Sequence, residues 1–88
     1  MKYSNDFLGR AHNLAFENRT AVMQSTSCAC FYCLKTYSPF DIVEWIHDKN
    51  ADTAICPLCG IDSVIADKSE LPITDLEFLN QMYQRYFN

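Results

Sequence analysis

Glycine and proline are scarce in this sequence, with two and three among 88 residues, the glycines being Gly9 and Gly60. That scarcity excludes a Gly- or Ser-rich linker. With no internal repeat or low-complexity tract, one unit spanning 1–88 is expected. No run approaches the roughly 20 apolar residues that cross a bilayer, and Met1-Lys2-Tyr3-Ser4-Asn5-Asp6-Phe7 has no apolar segment that would direct export. A cytoplasmic chain with no membrane contact is expected. Basic charge is also thin: seven Lys and Arg stand against eleven Asp and Glu, a formal net charge of −4. The balance is +1 over 1–27, −2 over 28–60 and −3 over 61–88, so acidity grows toward the C-terminus. Wrapping a phosphate backbone needs clustered Lys and Arg, which makes nucleic acid a less expected partner than protein.

What the sequence does contain is apolar and sulfur-bearing: 49% hydrophobic residues, 14% aromatic residues and five cysteines. A chain so rich in core formers is built to fold. A domain of this size buries only about two-thirds of its unfolded surface, so a metal, disulfides or a partner commonly staples it. Cytosolic thiols stay reduced, and an odd count pairs poorly. The cysteines therefore read as metal ligands before disulfides.

Around them, Ser4 caps a run in which Phe7, Leu8, Ala11, Leu14, Ala15 and Phe16 recur at helical spacing, predicting an amphipathic helix over 5–19. Arg19 to Gln24 either continues it or forms a second short helix. Ser38-Pro39-Phe40-Asp41 has the chemistry of a capped helix start, predicting a helix over 39–47 that buries Phe40, Ile42, Val43 and Ile46, with Trp45 beside them. Thr53-Ala54-Ile55 and Ser63-Val64-Ile65 are β-prone runs expected to form a hairpin around Cys56-Pro57-Leu58-Cys59-Gly60. Thr74-Asp75-Leu76-Glu77 resembles a capping box. Leu76, Leu79, Met82, Tyr83, Tyr86 and Phe87 then predict a C-terminal helix over about 75–87, within a terminal segment 74–88.

Cys30-Phe31-Tyr32-Cys33 and Cys56-Pro57-Leu58-Cys59 are two C-x-x-C elements. Tetrahedral Zn²⁺ takes four soft ligands, and a C-x-x-C turn brings two sulfurs to one ion while backbone amides point at the thiolates. Cys30, Cys33, Cys56 and Cys59 are therefore the expected zinc ligands. Pro57 preorganises the second turn, and Gly60 supplies the positive φ at its end. Cys28 is an alternative ligand to Cys30, but packing as a small apolar side chain suits it better. The segment after Cys59 reads as a strand rather than a helix. That favours a zinc-ribbon-like α+β domain over 28–66, its knuckles on short β-hairpins, with N-terminal, middle and C-terminal helices. Four cysteines close the metal shell and leave no open position for water, so no catalytic residue and no enzymatic activity is expected. Iron in an electron carrier is a weaker alternative.

His12, Glu17 and His47 read as surface or capping residues, and Asp62 and Ser63 as hydrogen-bonding support for the second knuckle. The aromatics are too many for so small a core. Trp45, Tyr83, Tyr86 and Phe87 are the expected partner-binding residues, since Tyr and Trp anchor many interfaces. The function expected is a zinc-binding adaptor or inhibitor that docks on a partner protein. The alternative is a nucleic-acid-binding regulator using Lys2, Arg10 and Arg19, and a homodimer is a further possibility for the surplus apolar surface.

Cys28-Ala29-Cys30-Phe31-Tyr32-Cys33, Pro39-Phe40-Asp41-Ile42-Val43-Glu44-Trp45, Thr53-Ala54-Ile55-Cys56-Pro57-Leu58-Cys59-Gly60-Ile61-Asp62-Ser63-Val64-Ile65 and Pro72-Ile73-Thr74 follow one another in an order that resembles a family of small bacterial cytoplasmic proteins. The resemblance covers roughly residues 17–87. It implies a bacterial or phage source and a cytoplasmic zinc-ribbon-like protein, and carries no activity with it. Ala66 stands where that family's pattern has glycine.

Overall fold

The computed structural model describes residues 2–88. It is a small α+β structure of three α-helices, two short 3-10 turns and five short strands. The central sheet has the order β2 (Thr36–Tyr37), β1 (Cys28–Cys30), β5 (Val64–Ala66), all antiparallel. Register places Cys28 opposite Ala66, Ala29 opposite Ile65 and Cys30 opposite Val64. Every residue of β1 and β5 is buried, so both faces of this sheet are covered.

Alternation along these strands divides the interior in two. Ala29 and Ile65 face a helical layer with Leu8, Ala11, Phe31, Phe78, Leu79 and Met82. Cys28, Cys30, Val64 and Ala66 face the other way, into a cluster with Val22, Ile42, Ala54 and Cys56. The pleat explains this division, because successive side chains of a strand leave by opposite faces.

The helical layer is α1 (Asn5–Asn13) against α3 (Leu76–Phe87). Ser4 caps α1 as its sequence predicts, accepting from Phe7 N at 3.1 Å. The helix ends earlier than expected, however, at Asn13: Ala15 N and Phe16 N donate back to His12 O and Asn13 O in tighter turns, and Glu17 then takes φ 51°. Leu14 and Phe16 are consequently exposed, and α2 (Arg19–Met23) is a separate short helix. Asp75, rather than Thr74, caps α3, accepting from Glu77 N at 3.0 Å while it also holds Lys2 Nζ at 2.8 Å. Only Phe78, Leu79 and Met82 of α3 are fully buried. Leu76, expected on the core face, lies outside it.

The expected middle helix over 39–47 is not formed. The cap itself is real: Ser38 and Asp41 make a reciprocal capping box around a 3-10 turn, Pro39–Asp41. The chain then extends at Ile42 (φ −80°, ψ 121°) and becomes β3 (Trp45–His47), antiparallel to β4 (Asp52–Ala54). β-branched Ile42, Val43 and Ile46 suit that geometry, and pairing with β4 prevails over the local helical pattern. Of the four residues expected to bury one face, only Ile42 is buried, while Phe40 and Val43 are 86% and 78% exposed.

The hairpin expected across the second knuckle is likewise absent. β4 and β5 form, but β5 pairs with β1. Asn18 fills the gap, its buried amide donating to Val64 O at 2.8 Å and accepting from Ala54 N at 2.9 Å. One side chain thus links the backbones of two strands that do not pair with each other. No helix among the described residues is long and apolar enough to cross a membrane.

Candidate metal centre

The two C-x-x-C elements fold into the same turn. In the first, Leu34 N donates to Cys30 O at 2.8 Å and Cys30 N to Lys35 O at 3.0 Å. In the second, Gly60 N donates to Cys56 O at 3.0 Å and Cys56 N to Ile61 O at 2.9 Å. Both turns close on a residue with positive φ, Leu34 at 63° and Gly60 at 81°. Each turn also aims an amide at its first sulfur, Tyr32 N at Cys30 and Leu58 N at Cys56, both at 3.4 Å.

Antiparallel pairing of β1 with β5 brings the knuckles together. Sγ of Cys30 lies 3.6 Å from that of Cys59, and Sγ of Cys33 lies 3.8 Å from that of Cys56. All four sulfurs fall within 4.8 Å of one another. A tetrahedron with metal–sulfur bonds of about 2.3 Å has edges of about 3.8 Å, so the spacing suits a single ion. The four expected ligands could therefore hold a metal. Cys28 is outside the group, fully buried in the second cluster. Burial, with the charge of Asp67 adding to it, pushes its thiol up to about 12 and keeps it neutral.

Hydroxyls complete the surroundings. Ser63 Oγ lies 3.1 Å from Cys30 Sγ, so it supports the sulfur itself as well as the knuckle backbone. Tyr37 is the residue that sequence reasoning missed. Its hydroxyl is buried beside Cys56, and among the described residues it is the one buried side-chain polar atom without a hydrogen bond of ordinary geometry. A neutral thiol is a weak acceptor, whereas a metal-bound thiolate is a strong one, so this unpaired donor fits an ionised Cys56. Burial alone would raise the Cys56 thiol, but Tyr37 and the amides of Leu58 and Cys59 outweigh it and bring it to about 7. Burial raises Cys33 and Cys59. The signal in the sequence was position: Tyr37 follows the first knuckle by the few residues a returning strand needs.

His12, Glu17 and His47 stand apart from the cluster. His12 stacks on Tyr86 at 4.0 Å, Glu17 accepts from Asn50 N, and His47 pairs with Asp52 at 2.8 Å. The expected partner-binding aromatics divide. Tyr83 and Phe87 meet Tyr32 of the first knuckle, with ring centroids 5.8 and 4.8 Å away. Tyr86 is half-buried against the helical core, its hydroxyl 3.4 Å from Leu8 O. Trp45 packs on the second cluster beneath the Arg19 guanidinium, 4.7 Å from its ring centroid.

Comparison with known protein families, with curated proteins and with solved structures gives no match.

Proposed function

We propose that this chain is a non-enzymatic, zinc-ribbon-like interaction module, a bacterial or phage adaptor or inhibitor. Zinc bound by Cys30, Cys33, Cys56 and Cys59 fastens the fold, and a partner protein docks on an aromatic face. The observation that carries this reading is the closed set of four sulfurs, which offers a metal soft ligands on all sides and no position for substrate. The docking face is exposed Tyr32 and Phe87 with half-buried Tyr83 between them, where the first knuckle meets the end of α3. Tyr-rich surfaces of this kind favour protein partners.

Charge favours protein over nucleic acid. Two of the three basic residues that the regulator reading needs are already paired, Lys2 with Asp75 at 2.8 Å and Arg19 with Asp52 at 2.7 Å. Four thiolates and a divalent ion add −2, taking the formal −4 to −6. Such a surface suits a basic patch on the partner. With four cysteines on the metal and Cys28 left over, the described residues hold no disulfide, which suits the reducing conditions of a cytoplasm.

The test is metal analysis followed by capture from bacterial lysate, with and without nuclease. One equivalent of zinc, and a protein retained by the wild type but lost from a zinc-loaded Tyr32→Ala/Phe87→Ala variant, are the expected results. Salt-sensitive retention of DNA or RNA with no protein partner would favour the regulator instead.

A further inference from the structure

We propose that the metal centre has two shielded and two reactive thiolates: the hydroxyls of Ser63 and Tyr37 protect Cys30 and Cys56, and Cys33 and Cys59 are the site where soft carbon electrophiles modify it. This rests on the metal reading above and adds a chemical reactivity to it.

The asymmetry follows from the repeated turn. The first cysteine of each knuckle is buried and the second is half-exposed. Every ligand receives a backbone amide: Tyr32 for Cys30, Lys35 for Cys33, Leu58 for Cys56 and Ile61 for Cys59. Only the buried pair also has hydroxyls. Ser63 Oγ lies 3.1 Å from Cys30 Sγ, and the unpaired Tyr37 hydroxyl is buried beside Cys56. A bound metal keeps all four sulfurs ionised, so nucleophilicity is then set by hydrogen bonding and access rather than by protonation. A hydroxyl donor draws charge from its thiolate, and burial blocks the line of approach. Cys33 and Cys59 lack both protections.

The ligand class is an α,β-unsaturated carbonyl compound. The thiolate sulfur attacks the β-carbon and forms a C–S bond. The double-bond electron pair moves to the α-carbon, which takes a proton from water, and the resulting thioether is a poor ligand that releases its metal–sulfur bond.

N-ethylmaleimide, added below one equivalent to zinc-loaded protein, is the probe, with the modified cysteine identified by peptide mass spectrometry. Cys33 and Cys59 are expected to label at least ten times faster than Cys30 and Cys56. Tyr37→Phe should raise the Cys56 rate several-fold and leave Cys30 unchanged, and Ser63→Ala should do the reverse. Equal rates at all four ligands, or an unchanged Cys56 rate in zinc-loaded Tyr37→Phe, would overturn the proposal while leaving the metal reading intact. Should Tyr37→Phe fail to hold zinc, the Cys30 rate in Ser63→Ala decides. A wild-type protein that takes up no metal overturns both.

Discussion

At the scale of single residues, the knuckles depend on a few positions that no neighbour can replace. Gly60 has open space where a Cβ would stand, so Gly60→Ala meets no clash and pays only for its φ of 81°. The expected cost is about 1 kcal/mol, read from denaturant unfolding of the metal-loaded protein. Leu34 holds the same backbone conformation in the first knuckle without glycine's freedom. Its side chain packs against the helical core, which compensates for the strain. The cysteines separate more sharply. Cys56→Ser should abolish stoichiometric metal binding, whereas Cys28→Ser should keep the metal and lose only about 1–2 kcal/mol, since Cys28 acts as a buried apolar side chain. Equal metal loss from both substitutions would refute the ligand assignment. Which four cysteines come together was legible from spacing alone, because two C-x-x-C turns account for four of them and leave the fifth over.

At the scale of elements, long-range pairing displaced two local expectations. A helix over 39–47 would have buried Phe40, Ile42, Val43 and Ile46 together. In the extended segment that leads into β3, Ile42 points into the second cluster and Val43 into solvent. Ile42→Ala should therefore cost about 2–4 kcal/mol and Val43→Ala less than about 0.5 kcal/mol. Comparable losses at both sites in thermal denaturation would restore the helix. Asn18 is the second case. With its amide removed, Ala54 N and Val64 O lose their partner inside the protein. Asn18→Ala is expected to cost about 2–4 kcal/mol, with amide hydrogen exchange accelerating first at Ala54. No periodicity marks such a residue, since a buried asparagine on a loop is recognisable only from the strands on either side of it.

At the scale of the whole molecule, the four-cysteine site lies in one of two interior clusters, and the sheet between them would transmit the loss of a bound metal. Chelation should remove the fastening of β1 to the second knuckle and unfold the second cluster, leaving at most a loosened α1–α3 layer. Near-ultraviolet circular dichroism on adding chelator, and its recovery with zinc, would record this, and an unchanged spectrum would argue against a structural role. Acid should act in the same direction. The metal-bound state carries no protons on its four sulfurs, whereas the metal-free fold keeps Cys33 and Cys59 protonated through neutral pH and protonates Cys56 below about 7. Binding therefore releases protons and tightens as pH rises, and its pH dependence should steepen below about 7 as Cys56 joins the protonated set. Competition with a chromophoric chelator from pH 6 to 8 measures that slope.

Read alone, the residue order settled which four cysteines come together and that Cys28 stands apart, the Ser4 cap, and the presence of a helix near each end, though not where the first one stops. All of these rest on short-range chemistry: the reach of a C-x-x-C turn, a hydroxyl beside orphan amides, and apolar spacing along a helix. Tertiary structure decided the strand at Trp45–His47, the pairing of β5 with β1, the clip at Asn18 and the position of the Tyr37 hydroxyl. Each of these depends on a partner distant in the chain, and a β-branched segment takes its conformation from whatever strand it meets. The same distinction holds within the aromatics. Their number foretold a surplus over the core, but only the packing of α3 left Tyr83 and Phe87 beside Tyr32 and turned Tyr86 inward, because burial is set by which helix face meets the sheet.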